Sequence, residues 1–149
     1  MTAPAPLSLT GGQRVALALA SGVLLTLSYA PFALALVAWV ALTPLLLALD
    51  GATLGAALGL GRLAGSVGGL GITGYWICRA AGDYFGLSPL AAAAFTVAVI
   101  QLFVAPFYGL FGVLVWRLNG SRWRLLLVPA ALVVCEAARG GLTGNAWAL

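Results

Sequence analysis

The sequence has no lysine and no histidine, and three acidic residues, Asp50, Asp83 and Glu136, stand against seven arginines. Without histidine the commonest general base and metal ligand is missing, and Cys78 and Cys135 are the only thiols. Zinc chemistry and Ser-His-Asp hydrolysis are excluded, and neither a metal nor a cofactor is expected. Charge is scarce: 7% of residues carry it, where a soluble domain has roughly 25%. What is abundant is apolar surface, with 63% hydrophobic residues and a mean hydropathy of +1.12. Lipid rather than water is the solvent such a chain suits, and no polar stretch is long enough for a separate soluble domain. The net charge of +4 comes from isolated arginines without clustered aromatics. They read as membrane topology signals, and no nucleic-acid partner is expected.

Apolar run lengths predict an all-α, polytopic bundle of about five transmembrane helices. A tail at 1–14 precedes a transmembrane part at 15–149, with helices near 12–30, 32–49, 53–77, 89–116 and 123–138. Pro31 stops the first, Asp50-Gly51 reverses the chain after the second, and Pro106 is expected to kink the fourth. The basic flank at Arg14 and the small residues Ala33 to Ala35 also resemble a cleavable signal peptide. A 19-residue first run rises about 28 Å, enough to cross hydrocarbon. An uncleaved span is therefore the better reading. Helix 3 repeats glycine at 51, 55, 59 and again at 61, 65, 69, which suits close helix packing.

Arg14, Arg117, Arg122 and Arg124 fall on the side shared by the N-terminus and the turn after helix 4. That side is expected to be cytoplasmic, with the C-terminal stretch at the extracytoplasmic face. Arg62 fits neither side, being about two turns into helix 3. It is either a functional site or a snorkelling side chain, unless the helix starts later. Gln101 and Asn119 have the chemistry to bond between helices or cap a turn. Cys78 and Cys135, both near outer helix ends, read as small buried apolar residues or as a disulfide.

Three segments resemble the apolipoprotein N-acyltransferase family in order and spacing. They are Thr26-Leu27-Ser28-Tyr29-Ala30-Pro31-Phe32, Gly74-Tyr75-Trp76, and Glu136-Ala137-Ala138-Arg139-Gly140 followed by Thr143-Gly144-Asn145-Ala146-Trp147. Asn145-Ala146 departs from the Phe-Pro or similar pair common there. The resemblance runs from about Arg14 to Leu149. It implies the N-terminal membrane part of a longer bacterial enzyme of the cytoplasmic membrane, whose later helices and nitrilase-like domain are absent from these residues. In the family, a cysteine takes an acyl chain from a phospholipid as a thioester, and the amine of a lipoprotein's N-terminal diacylglyceryl-cysteine accepts it. The Glu-Lys-Cys triad that does this maps to no residue of this chain, so the chain alone is expected to be inactive.

The resemblance implies phospholipid donor, lipoprotein acceptor and membrane lipids as partners of the full enzyme, acting as a monomer. For the marked residues two readings stand side by side. Glu136 and Arg139 are an ion pair closing helix 5, or Arg139 with Thr143 and Trp147 meets headgroup oxygens. Trp76, beside Tyr75, Tyr84 and Phe85, belongs to an interfacial aromatic belt, or guides acyl chains. Two further functional classes compete with the acyltransferase: a non-catalytic membrane module that binds lipid or recruits a separate transferase, and a small transporter. The last needs ionisable groups along a path, and only Arg62 qualifies.

Overall fold

The structure is a computed structural model that describes residues 8–142, and every regular element among them is helical. α1 (Gly11–Ser28) opens with a capping box: the Gln13 N–H donates to Thr10 Oγ1 at 3.3 Å, and the Thr10 N–H donates to Gln13 Oε1 at 2.9 Å. Two backbone donors with no partner inside the helix are thereby satisfied.

The continuous helix expected at 32–49 is broken into α2 (Ala35–Ala38) and α3 (Thr43–Leu49). Pro44 lies in the first turn of α3 and lacks the N–H that would continue a ladder from α2. The buried Ser21 hydroxyl donates to the Ala41 carbonyl at 2.6 Å and pins this break to α1. Carbonyls at the far end of α3 are held from outside the helix. Arg14 donates through Nη1 to Ala48 O and, at 2.7 Å, to Asp50 O; Asn119 Nδ2 reaches Leu49 O at 3.5 Å. A cation suits a helix C-terminus, where acceptors outnumber donors.

α4 (Leu54–Gly69) starts on Thr53, whose hydroxyl accepts from the Ala56 N–H at 3.3 Å. It runs through a π-helical turn (Leu70–Gly74) into α5 (Tyr75–Asp83), so the third helical segment extends beyond Ile77. α6 (Pro89–Phe103) and α7 (Ala105–Arg117) meet at Val104, with Pro106 in the first turn of α7. The break falls where the proline removes a donor, as its position predicts. α8 (Arg124–Leu142) also runs beyond its expected end, carrying Arg139 inside the helix.

Two helical stretches are long and apolar enough to cross a membrane, Pro89–Arg117 and Arg124–Leu142. Of the five crossings expected from apolar run lengths, the described residues thus supply two helices that meet the length and hydropathy of a span. The third segment contains Arg62 and a π turn, and Ala35–Leu49 is a shorter apolar stretch.

α4 is the hub: it packs on α1 along one flank and on α7 along the other, while α3 lies against α1 and α8 against α7. Only the second glycine repeat makes these contacts. A Cβ at Gly61 would strike the Tyr108 carbonyl, one at Gly65 would lie 2.5 Å from Tyr108 Cβ, and one at Gly69 2.5 Å from Ile100 Cγ2. Gly112 answers from α7, where a Cβ would strike the Ala57 carbonyl. Of the first repeat, Gly51 sits in a turn at φ 62°, and a Cβ at Gly55 or Gly59 meets nothing within 4 Å. The packing role expected of Gly51, Gly55 and Gly59 is thus absent among the described residues.

Gly61→Ala forces α4 and α7 apart and is expected to cost about 1–3 kcal/mol. Gly59→Ala is expected to gain roughly 0.5–1 kcal/mol from backbone entropy. Unfolding titrations with a denaturing detergent measure both, and equal losses at the two positions would contradict the packing described.

Candidate functional site

The polar groups divide between two ends of the bundle. At one end, Arg14 and Arg124 converge on Asp50, with Arg124 Nη1 3.5 Å from Asp50 Oδ1, and Arg117 and Arg122 are close by in sequence. At the other end, the last turns of α8 carry Glu136 and Arg139. Three residues apart on one helix, these side chains share a face. Arg139 donates to Glu136 Oε2 from Nε at 3.0 Å and from Nη2 at 2.5 Å. The Arg139 side chain is 6% exposed and that of Glu136 31%. The pair is therefore sheltered on its cationic side and open on its anionic side.

Glu136 opens into a pocket of about 250 Å³. The end of α1 supplies Leu25, Ser28 and Tyr29, the interrupted segment supplies Ala38 and Leu42, α7 supplies Tyr108, and α8 supplies Leu132. Tyr108 is buried, and both Tyr108 and Tyr29 feel the charges of Glu136 and Arg139. The Ser28 hydroxyl turns back to the Leu25 carbonyl at 2.7 Å. A carboxylate, two phenols and apolar walls suit an amphipathic ligand, with polar contacts at one side and hydrocarbon against the other. The thiols play no part in this pocket: Cys135 is buried in the apolar cluster formed with Leu45, Leu60, Phe111 and Val115. Cys78 and Cys135 are both free, so the disulfide reading is corrected. Among the described residues no three potential metal ligands gather.

The structure unites two of the five site residues read from the sequence, Glu136 and Arg139. Trp76 stands on α5, which packs against α6 and the π turn, whereas α8 packs on α7; the described residues do not bring Trp76 to the pair through a shared helix interface. Tyr84 and Phe85, 85% and 76% exposed, continue its aromatic neighbourhood at the α5–α6 turn. Thr143 and Trp147 lie outside the described residues.

Residues 21–149 match the family described as the apolipoprotein N-acyltransferase N-terminal domain. The chain belongs to that family. No curated protein and no solved structure matches it.

Within this apolipoprotein N-acyltransferase N-terminal domain, the segments that carry the resemblance meet near one end. Thr26 Oγ1 donates to the Val67 carbonyl at 2.8 Å, and a Cβ at Gly71 would lie 2.6 Å from Thr26 Cα. The first segment thus packs on the π turn that leads into Gly74-Tyr75-Trp76, and its Tyr29 lines the pocket with Glu136 of the third. Sequence reasoning missed Tyr29 and Tyr108 as pocket residues. Tyr29 was inside a quoted motif; Tyr108, two residues after Pro106 in an apolar run, was a polar group in hydrocarbon and so a signal in itself.

Glu136→Ala leaves a nearly buried guanidinium without its carboxylate and is expected to cost about 2 kcal/mol or more. The Arg79–Asp83 pair, 3.9 Å apart with both side chains 67% exposed, serves as the control. Asp83→Ala is expected to leave unfolding in detergent unchanged. Equal effects of the two substitutions would show that the Glu136–Arg139 pair is not structural.

Proposed function

We propose that the chain is the membrane-embedded N-terminal part of a bacterial apolipoprotein N-acyltransferase, and that its pocket at Glu136 receives lipid on the way to a catalytic domain outside these residues. The observation that carries this reading is the convergence of the first and third family segments, through Ser28, Tyr29 and Glu136, on a pocket with a carboxylate, two tyrosines and apolar walls. The acyl donor is a phospholipid and the acceptor a diacylglyceryl-cysteine at a lipoprotein's N-terminus. Both are amphipathic, and both need hydrocarbon and polar contacts at one place.

The chemistry belongs to a nitrilase-type Glu-Lys-Cys triad. A thiolate attacks the phospholipid ester and leaves again from the thioester when the amine attacks. This chain has no lysine, so it supplies anchoring and a lateral path rather than the nucleophilic site. Arg139 and Glu136 set the polar floor, with Thr143, Trp147 and Trp76 as further lipid-facing groups. The arrangement is a multi-pass monomer in the cytoplasmic membrane. Five passes place the Arg14, Arg117, Arg122 and Arg124 end in the cytoplasm and the Glu136 end outside, in keeping with the positive-inside rule.

Three outcomes are expected. Supplied with phospholipid and a diacylglyceryl-cysteine peptide, the purified chain forms no N-acylated product above an empty-membrane control; turnover would overturn the division of labour. A phospholipid with a photoactivatable acyl chain labels peptides containing Tyr29, Leu42 or Leu132, and the diacylglyceryl-cysteine peptide reduces that labelling several-fold. Labelling elsewhere only, or without competition, would remove the pocket from the lipid path. In a background lacking Cys78 and Cys135, single cysteines at Gly12 and Ser121 resist an impermeant thiol reagent in intact cells, while one at Phe85 reacts. The reverse pattern would invert the topology.

A further inference from the structure

Six of the seven arginines have a partner for the guanidinium. Arg14 donates to helix-end carbonyls, and Arg79, Arg124 and Arg139 pair with Asp83, Asp50 and Glu136. Arg117 and Arg122 lie 5.7 and 5.3 Å from the ring centroids of Trp116 and Trp123. Among the described residues, the guanidinium of Arg62 has no carboxylate, carbonyl or ring. It is exposed, and its stem packs over α7, where a Cβ at Gly109 would lie 2.7 Å from Arg62 Cγ. α4 begins at Leu54, so a later helix start does not explain its depth. Arg62 stands about 12 Å along the axis from that start, so where α4 crosses a hydrocarbon layer about 30 Å thick, it falls inside the layer.

The face around it is uncovered. Gly55, Gly59, Arg62 and Ser66 follow one another at helical spacing on the side of α4 between α1 and α7. A Cβ at Gly55 or Gly59 meets nothing within 4 Å, so the backbone is bare there. One turn beyond Arg62, Ser66 donates to Gln101 Oε1 at 3.3 Å, and the amide donors of Gln101 have no partner among the described residues. Beside the glycines, Gly11, Arg14, Val15 and Leu63 line a groove of about 330 Å³ whose surface is almost wholly apolar despite the arginine.

We propose that this face binds a transmembrane helix carrying one carboxylate at the depth of Arg62. An unpaired guanidinium in hydrocarbon calls for an anion, and adjacent bare glycines let a helix backbone approach closely enough to deliver one. A second copy of this chain does not fit, because its three acids, Asp50, Asp83 and Glu136, stand toward the ends of the bundle and not at the depth of Arg62. A lipid phosphate would meet the charge and accept from the Gln101 amide, but it offers no helix backbone to pack on the bare glycines. The inference rests on α4 lying in the membrane, which a single cysteine at the exposed Leu58 tests separately: it resists the impermeant reagent even in opened membranes.

The test uses the full chain in phosphatidylcholine vesicles, with energy transfer to a synthetic polyleucine transmembrane peptide. The peptide bears either one aspartate or a leucine at the depth of Arg62. The aspartate peptide is expected to bind about tenfold more tightly than the leucine one. Arg62→Leu removes that preference. Gly59→Leu, which has room in the isolated chain, keeps the arginine but blocks the helix and weakens both peptides. Equal binding of the two peptides overturns the proposal, as does a preference that survives Arg62→Leu or is unaffected by Gly59→Leu. Loss of the aspartate preference when phosphatidylglycerol is added would also overturn it and assign the site to anionic lipid.

Discussion

A side chain at position 61 would strike the Tyr108 carbonyl, and one at 112 would strike the carbonyl of Ala57, so α4 and α7 touch backbone to backbone. In lipid, where apolar burial drives little helix association, such contact gives close van der Waals packing along both helices. It also fixes azimuth. With Gly61, Gly65 and Gly69 turned toward α7 and α6, the Gly22 and Gly68 contacts fall to α1 on the other flank, and Gly55 and Gly59 are left facing outward. Tyr108 is held against Gly65 by the same contact, and Arg62 lies over Gly109. One helix pair thus positions a tyrosine of the pocket and the exposed arginine of the open face.

A second constraint works at the helix breaks. Backbone polar groups freed in hydrocarbon need partners inside the protein. The hydroxyl of Ser21 meets Ala41 in the interruption between α2 and α3, that of Thr26 meets Val67 just before the π turn, and Arg14 closes the end of α3. Each partner comes from α1 and reaches an irregular place on another segment. α1 is therefore more than one helix of the bundle: its polar side chains are what allow the neighbouring segments to depart from straight helices. Those departures form the pocket, because Ala38 and Leu42 of the broken segment make one of its walls.

The helical class and the division of charge between two ends were legible in run lengths and arginine placement, since both depend on composition along the chain. So was the break near Pro106, which has a local cause. The interruption at 39–42 was not, because the run from Phe32 to Leu49 is apolar but for Thr43 and was read as one helix with no account taken of Pro44. Pro44 removes a donor locally, and a tertiary contact completes the break: Ser21, twenty residues away, holds the broken form. The glycines show the same limit. Two repeats of identical spacing predicted identical packing, but which repeat faces a neighbour depends on azimuth, and the sequence of one helix does not contain its partner's position. Glu136 and Arg139 were legible because their spacing is local. Tyr29 and Tyr108 join them only through the packing of α1 and α7 around α8's end.

The short segment between Pro31 and Leu42 also sets how the pocket is walled off from its surroundings. Ala38 and Leu42 face the pocket, while Leu36 and Trp39 on the same stretch are 85% and 87% exposed. In water such exposure would be a liability; in a bilayer these side chains are the protein's contact with acyl chains. The barrier between pocket and bilayer is then a single short stretch without a full helix to stiffen it. A continuous helix from 32 to 49 would have placed a stiffer, internally hydrogen-bonded wall there. The departure from regular structure, held by Ser21, thus thins this wall of the pocket, while the Glu136–Arg139 pair keeps its polar end in place.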